Sequence, residues 1–162
     1  MELQEYSEGE LLESGREAVK REQWTRAKEF FDEYVHRFTA RRENVPASGL
    51  ASYALSLAHL RETGRALQLC KQAQHADPRN PHIYWCLAQI HLLLKSRKEA
   101  IEIVDRGLRA APDHFLLLRM RKRLGVRQPL PLPFLDRRHA LNVRLGRIIH
   151  RLKGSAAVLL PV

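Results

Sequence analysis

Eight histidines (His36, His59, His75, His82, His91, His114, His139 and His150) and two cysteines, Cys70 and Cys86, are the side chains of this chain best able to ligate a metal or attack a substrate. A helical metal site needs ligands one turn apart on one face, with a further ligand close by. No two histidines stand four apart on one helix, and His82 and His91 are nine apart with no carboxylate partner in register. Two cysteines make no disulfide framework and read best as small core residues. Nucleophilic or phosphate chemistry would need a nucleophile elbow, paired carboxylates or a glycine-rich phosphate loop, and none of these patterns is present. No catalytic residue, metal ligand or cofactor is therefore expected, and the chain reads as a non-enzyme.

Charge is the second chemical signal. Residues 1–114 hold 17 Lys and Arg against 17 Asp and Glu, whereas residues 115–162 hold 11 cations and a single acid, Asp136. The formal charge of +10 thus belongs to the last third of the chain, and such asymmetry points to a basic arm that meets something acidic. The first residues are acidic, the wrong sign for a secretory or mitochondrial presequence. The apolar run 156–162 is far short of a membrane span. A cytoplasmic location is expected.

What positions these residues is a repeat. Residues 47–80 and 81–114 superpose at a period of 34, and residues 8–41 join them after a five-residue insertion near 42–46. Ala27, Ala66 and Ala100 share one repeat position, and Pro78 and Pro112 share another. This period predicts stacked helical hairpins. Ser7 and Glu10 form a capping-box pattern at the start of the first hairpin, and Ser96 and Glu99 repeat it in the third. Asn80 followed by Pro81 marks a helix start. The second hairpin is expected to turn near Thr63–Gly64. After Pro112, Asp113 is placed to cap a further helix, 114–124, that Gly125 ends. Leu116, Leu117, Met120 and Leu124 would then shield the last hairpin, as a terminal element of a repeat array must.

These residues resemble the tetratricopeptide repeat family. Tyr84, Leu87, Ala88, His91, Ala100, Val104, Gly107 and Pro112 stand at its signature positions in the third repeat, and Leu50, Tyr53, Ala54, Leu57, Ala66, Cys70, Ala73 and Pro78 in the second. The first repeat is degenerate, with Leu11, Ser14, Gly15, Ala18, Ala27, Phe31, Tyr34 and Thr39. The resemblance implies an all-α solenoid of three hairpins (8–41, 47–80, 81–114) with a capping helix at 114–124, together a repeat domain over 8–125. It also implies a ligand groove lined by the first helix of each repeat. Here that lining would be Leu12, Arg16, Val19 and Lys20, then Ala51, Leu55, Ala58 and His59, then His82, Trp85, Gln89, Leu92 and Leu93. Some members clamp a C-terminal carboxylate with Lys and Asn, and the equivalent positions here do not carry that clamp. Leu92 and Leu93 have a second reading, as packing surface for the segment that follows the repeats.

Beyond the repeats, residues 126–135 carry Pro129, Pro131 and Pro133 and are expected to be extended, because proline lacks the amide donor and fixes φ. Residues 136–153 read as a basic amphipathic helix. Leu141, Leu145, Ile148, Ile149 and Leu152 line one face, and Arg144, Arg147 and Arg151 lie off it. Arg119, Arg121, Lys122 and Arg123 extend the basic surface. Residues 154–162 form an apolar tail. The apolar face of 136–153 would be covered by the repeat body, a second copy, a protein partner or an anionic membrane.

The resulting expectation is a non-catalytic adaptor, monomer or homodimer, that binds a protein partner as a peptide or helix in the concave groove. A nucleic-acid-binding or membrane-associated assembly factor acting through the basic tail is one alternative. A secretion-type chaperone, a class that also has three such repeats, is another.

Overall fold

The computed structural model describes residues 3–125, together with a helical pair, Arg144 and Leu145, of which the first is exposed and the second half-buried. The chain divides into two units, Met1–Gly125 and Val126–Val162. Apart from that pair, the strap, the basic helix and the apolar tail expected from the sequence lie outside the described residues.

The first unit carries α1 (Glu8–Lys20), α2 (Trp24–Ala40), α3 (Ala47–His59), α4 (Thr63–Ala76), α5 (Pro81–Leu93), α6 (Arg97–Ala110) and α7 (Phe115–Leu124), after a 3-10 turn at Leu3–Glu5. There is no strand among the described residues. Hairpins form from α1 with α2, α3 with α4 and α5 with α6, while α1, α3, α5 and α7 also touch in succession. The odd helices make an inner layer and the even helices an outer one, the stacked arrangement that the period of 34 predicts.

Small residues set how closely the layers approach. Ala27, Ala66 and Ala100 are completely buried. A Cβ on Gly15 would stand 2.7 Å from the Phe31 ring, and one on Gly107 would stand 2.7 Å from Tyr84 Cβ and 2.8 Å from Leu117 Cδ1. α3, in the middle of the stack, is buried all round from Gly49 to Ala58. Its two serines are satisfied locally, Ser52 Oγ donating to the Ser48 carbonyl at 3.1 Å and Ser56 Oγ to that of Ser52 at 3.2 Å, the back-bonding that a buried helical hydroxyl requires.

One turn serves all three hairpins. Glu22 (φ 58°), Arg61 (φ 72°) and Lys95 (φ 59°) occupy one repeat position in the left-handed region. Each is followed by an amide that bonds five residues back, Gln23 to Ala18, Glu62 to Leu57 and Ser96 to His91, all at 2.9 Å. This is the Schellman closure. Three expected boundaries or caps are shifted, the first two by this closure. The second turn lies at 60–62, so Thr63 and Gly64 open α4 instead of forming the bend. Ser96 makes no side-chain cap: its ψ of 66° departs from the extended value of 162° at Ser7, and its hydroxyl misses the first-turn amides. His114, not Asp113, caps α7, its Nδ1 accepting from Leu117 N at 3.4 Å.

The capping box of Ser7 and Glu10 is formed, with Ser7 N donating to Glu10 Oε2 at 2.7 Å, and these bonds hold the Glu10 carboxyl below its usual range. Arg37 fastens the N-terminal segment, donating to the carbonyls of Tyr6 and, at 2.8 Å, Leu3. The insertion after the first repeat is absorbed partly in α2, 17 residues long against 14 in α4 and α6, and partly in the loop before α3. At the other end Arg97 donates to the Leu124 carbonyl and Arg121 Nε stands 2.6 Å from Asp105 Oδ1. These two contacts fasten α7 to the third hairpin.

Candidate functional site

A groove of about 1150 Å³ runs along the inner layer. α1 supplies Glu13, Arg16, Val19 and Lys20, followed by Glu22 in the turn and Trp24 at the start of α2. α3 supplies Ser52 and Leu55, and α5 supplies His82, Trp85, Gln89 and Leu92. α7 closes the row with Leu116, Arg119, Met120, Arg123 and Leu124. Its volume lies above the range usual for small-molecule pockets.

Eight of the thirteen positions expected from the sequence line this groove: Arg16, Val19, Lys20, Leu55, His82, Trp85, Gln89 and Leu92. Ala51 and Ala58 lie in the core instead, while Ser52 and Leu55 of the same helix line the groove. Leu12 packs half-buried against the core. Leu93 points out of the fold, with 42% of its surface exposed. His59 stacks on Trp24 and so reaches the groove only through that ring.

The groove residues absent from the sequence reading are chiefly those of α7. A signal for them existed. Leu116, Arg119 and Arg123 fall one period of 34 after His82, Trp85 and Gln89, so the capping helix continues the inner layer in register. Of the basic surface read from the sequence, Arg119 and Arg123 face the groove, Arg121 is held on Asp105 and Lys122 is exposed. The tail positions Leu141, Ile148, Ile149, Leu152, Arg147 and Arg151 lie outside the described residues.

His82 is the most perturbed titratable group in the groove. Burial first, then the nearby charges of Arg16 and His114, bring its pKa down to about 4, so the ring is neutral near pH 7. Its Nε2 lies 2.9 Å from Ser52 Oγ and 3.5 Å from Cys86 Sγ. With the Ser52 proton committed to the Ser48 carbonyl, the tautomer that satisfies both groups donates from His82 Nε2. The Ser52–His82–Cys86 cluster is poorly suited to nucleophilic work. Such a low pKa makes the imidazole a weak base. Burial pushes the Cys86 thiol up, and the Cys70 thiol up to about 12, which keeps both protonated. Among the described residues no three His, Cys, Asp or Glu are grouped to hold a metal. The ring of His82 also lies beside Trp85, centroids 5.7 Å apart and 24° between planes, and so braces the indole on the groove floor.

Arg16 stands apart from the other cations. Its Nη1 donates to Glu13 Oε1 at 2.7 Å, while its Nε is buried without an acceptor among the described residues.

Residues 57–124 match the tetratricopeptide repeat family model. No curated protein matches the chain significantly. Among solved structures, the tetratricopeptide repeat domain of Arabidopsis OM64 is similar at 25% identity and a TM-score of 0.56, over 72% of this chain and 93% of that one. TTC0263, a thermophilic repeat protein of Thermus thermophilus, has 16% identity and a TM-score of 0.61, over 73% and 64% of the two chains. The first repeat domain of Spaghetti (RPAP3), solved with the HSP90 peptide SRMEEVD, has 18% identity and a TM-score of 0.54, over 70% and 86%. With its period of 34, its small residues at the helix contacts and its two-layered stack, the described part of the chain has the tetratricopeptide-repeat fold, and residues 57–124 carry the repeats that the family model matches.

Proposed function

We propose that this chain is a non-catalytic adaptor that holds a segment of a protein partner in the groove of its inner layer. The observation that carries the reading is the half-buried Trp85, braced by His82 and flanked by Leu55 and Leu92 on a concave apolar floor. Rigid aromatic anchors in such floors dominate binding energy at protein interfaces. A similar solved domain, that of Spaghetti, is described as bound to a peptide, which supports a peptide as the kind of ligand. The Lys and Asn clamp for a C-terminal carboxylate is missing here, so the segment is expected to be internal and to present an apolar face, bound by side chains in a groove. The low His82 pKa and the protonated buried thiols support the non-catalytic part of the reading.

The test is a peptide-array screen with the full chain, repeated with Trp85→Ala and Leu92→Glu after circular dichroism has shown both variants folded. Binders lost in both variants support the groove. Binders retained in both, or none with the full chain, refute it.

A further inference from the structure

We propose that the groove selects an acidic amphipathic segment, one whose apolar side chains lie on the floor while its carboxylates meet Arg16 at one end and Arg119 and Arg123 at the other. The inference rests on the adaptor reading and adds the chemistry of the partner. The groove carries four cations, Arg16, Lys20, Arg119 and Arg123, against two acids, Glu13 and Glu22. Glu13 is already engaged by Arg16 at 2.7 Å, which leaves the lining short of negative charge.

The arginines are also short of acceptors. Arg119 and Arg123 are exposed and form no ion pair among the described residues, whereas Arg121 between them is held on Asp105 at 2.6 Å. Their placement follows from the helix: Arg119 and Arg123, four apart, share the face of α7 toward the groove, and Arg121 lies off that face. At the opposite end, among the described residues, Arg16 meets its acceptor Glu13 through Nη1, and its buried Nε has none. A guanidinium presents its Nε–H and one Nη–H as a fork that matches a carboxylate in two parallel bonds. A buried donor with no acceptor is costly, and a partner carboxylate would remove that cost.

Between the charged ends the floor is apolar, with Val19, Leu55, Trp85, Leu92 and Met120. A purely acidic ligand would leave this floor wet, and a purely apolar one would leave the arginines unpaired. Only a segment that alternates the two satisfies both. The carboxylates are then expected to govern specificity and association rate, and the apolar face most of the residence time.

The experiment uses two synthetic helical peptides of equal length with the same leucine face, one flanked by glutamates and one by lysines. Each is labelled and titrated with the full chain by fluorescence anisotropy at low and moderate salt. The glutamate peptide is expected to bind about tenfold tighter, with the preference narrowing as salt rises. Arg16→Gln should weaken it about tenfold and leave the lysine peptide unchanged. Arg119→Glu with Arg123→Glu should reverse the preference, a result that misfolding cannot produce. Equal affinity for both peptides, abolished by Trp85→Ala, overturns the acid preference and leaves the adaptor reading standing. A lysine preference in the unaltered chain overturns it as well. Failure of both peptides to bind counts against both readings.

Discussion

The imidazole of His59, the last residue of α3, lies flat on the indole of Trp24, the first residue of α2, with centroids 3.5 Å apart and 4° between planes. The contact joins the first hairpin to the second at the edge of the groove, where Trp24 is part of the lining. Burial holds the His59 pKa below its ordinary value, with Glu22 opposing that shift, so the stacked ring is neutral at pH 7.

Stacked aromatic pairs contribute about 0.5–1.5 kcal/mol beyond the area they bury. A double-mutant cycle of Trp24→Ala and His59→Ala, followed by urea unfolding, should therefore return a coupling of about 1 kcal/mol. Strictly additive losses would mean that the two rings are neighbours without being partners.

Stability should fall as the solution is acidified, and His82 sets the window. Its folded pKa of about 4 lies below the ordinary value of 6.5, so the unfolded chain binds the proton that the folded chain refuses. The stabilisation is complete above pH 6.5 and is lost as pH drops toward 4. Between pH 7 and pH 5 the loss is about 2 kcal/mol. Urea midpoints across that range should move accordingly, and His82→Gln should flatten the dependence. A slope unchanged in the variant would assign the effect to other groups.

The glycines offer a contrast in packing. Gly107→Ala forces a methyl against Tyr84 Cβ, whose backbone-bound carbon has little room to yield, and Leu117 Cδ1, at a cost of about 1–3 kcal/mol. Gly64→Ala meets nothing within 4 Å near the start of α4 and should be neutral or gain up to about 1 kcal/mol. Thermal unfolding of both variants checks the pair. Equal effects would show that the helices at Gly107 have room to part.

Much of the fold was legible in the chain. The period of 34 set the number of hairpins, and the small residues at Ala27, Ala66, Ala100, Gly15 and Gly107 marked where helices meet. Capping was legible where the local backbone is free to be extended, as at Ser7 and Asn80. It misled at Ser96, where the Schellman turn of the preceding helix has already claimed the backbone. Local pattern cannot show which of two neighbouring turns a residue will serve.

The lining of the groove divides in the same way. The resemblance to the repeat family put Arg16, Leu55, His82, Trp85 and Gln89 on the inner faces, at fixed positions of each first helix. Whether a residue on such a face meets a ligand space or another helix depends on how many neighbours the helix has. On α3, packing withdraws Ala51 and Ala58 into the core, while Ser52 and Leu55 of the same helix reach the groove. α7 takes the inner place of a fourth repeat, and this brings Arg119 and Arg123 to the groove. Periodicity along the chain thus determined the repeats. The pairing of charges, the neutral half-buried His82 and the reach of the groove from α1 to α7 were decided by tertiary packing, since burial and electrostatic environment are set by residues far apart in the chain.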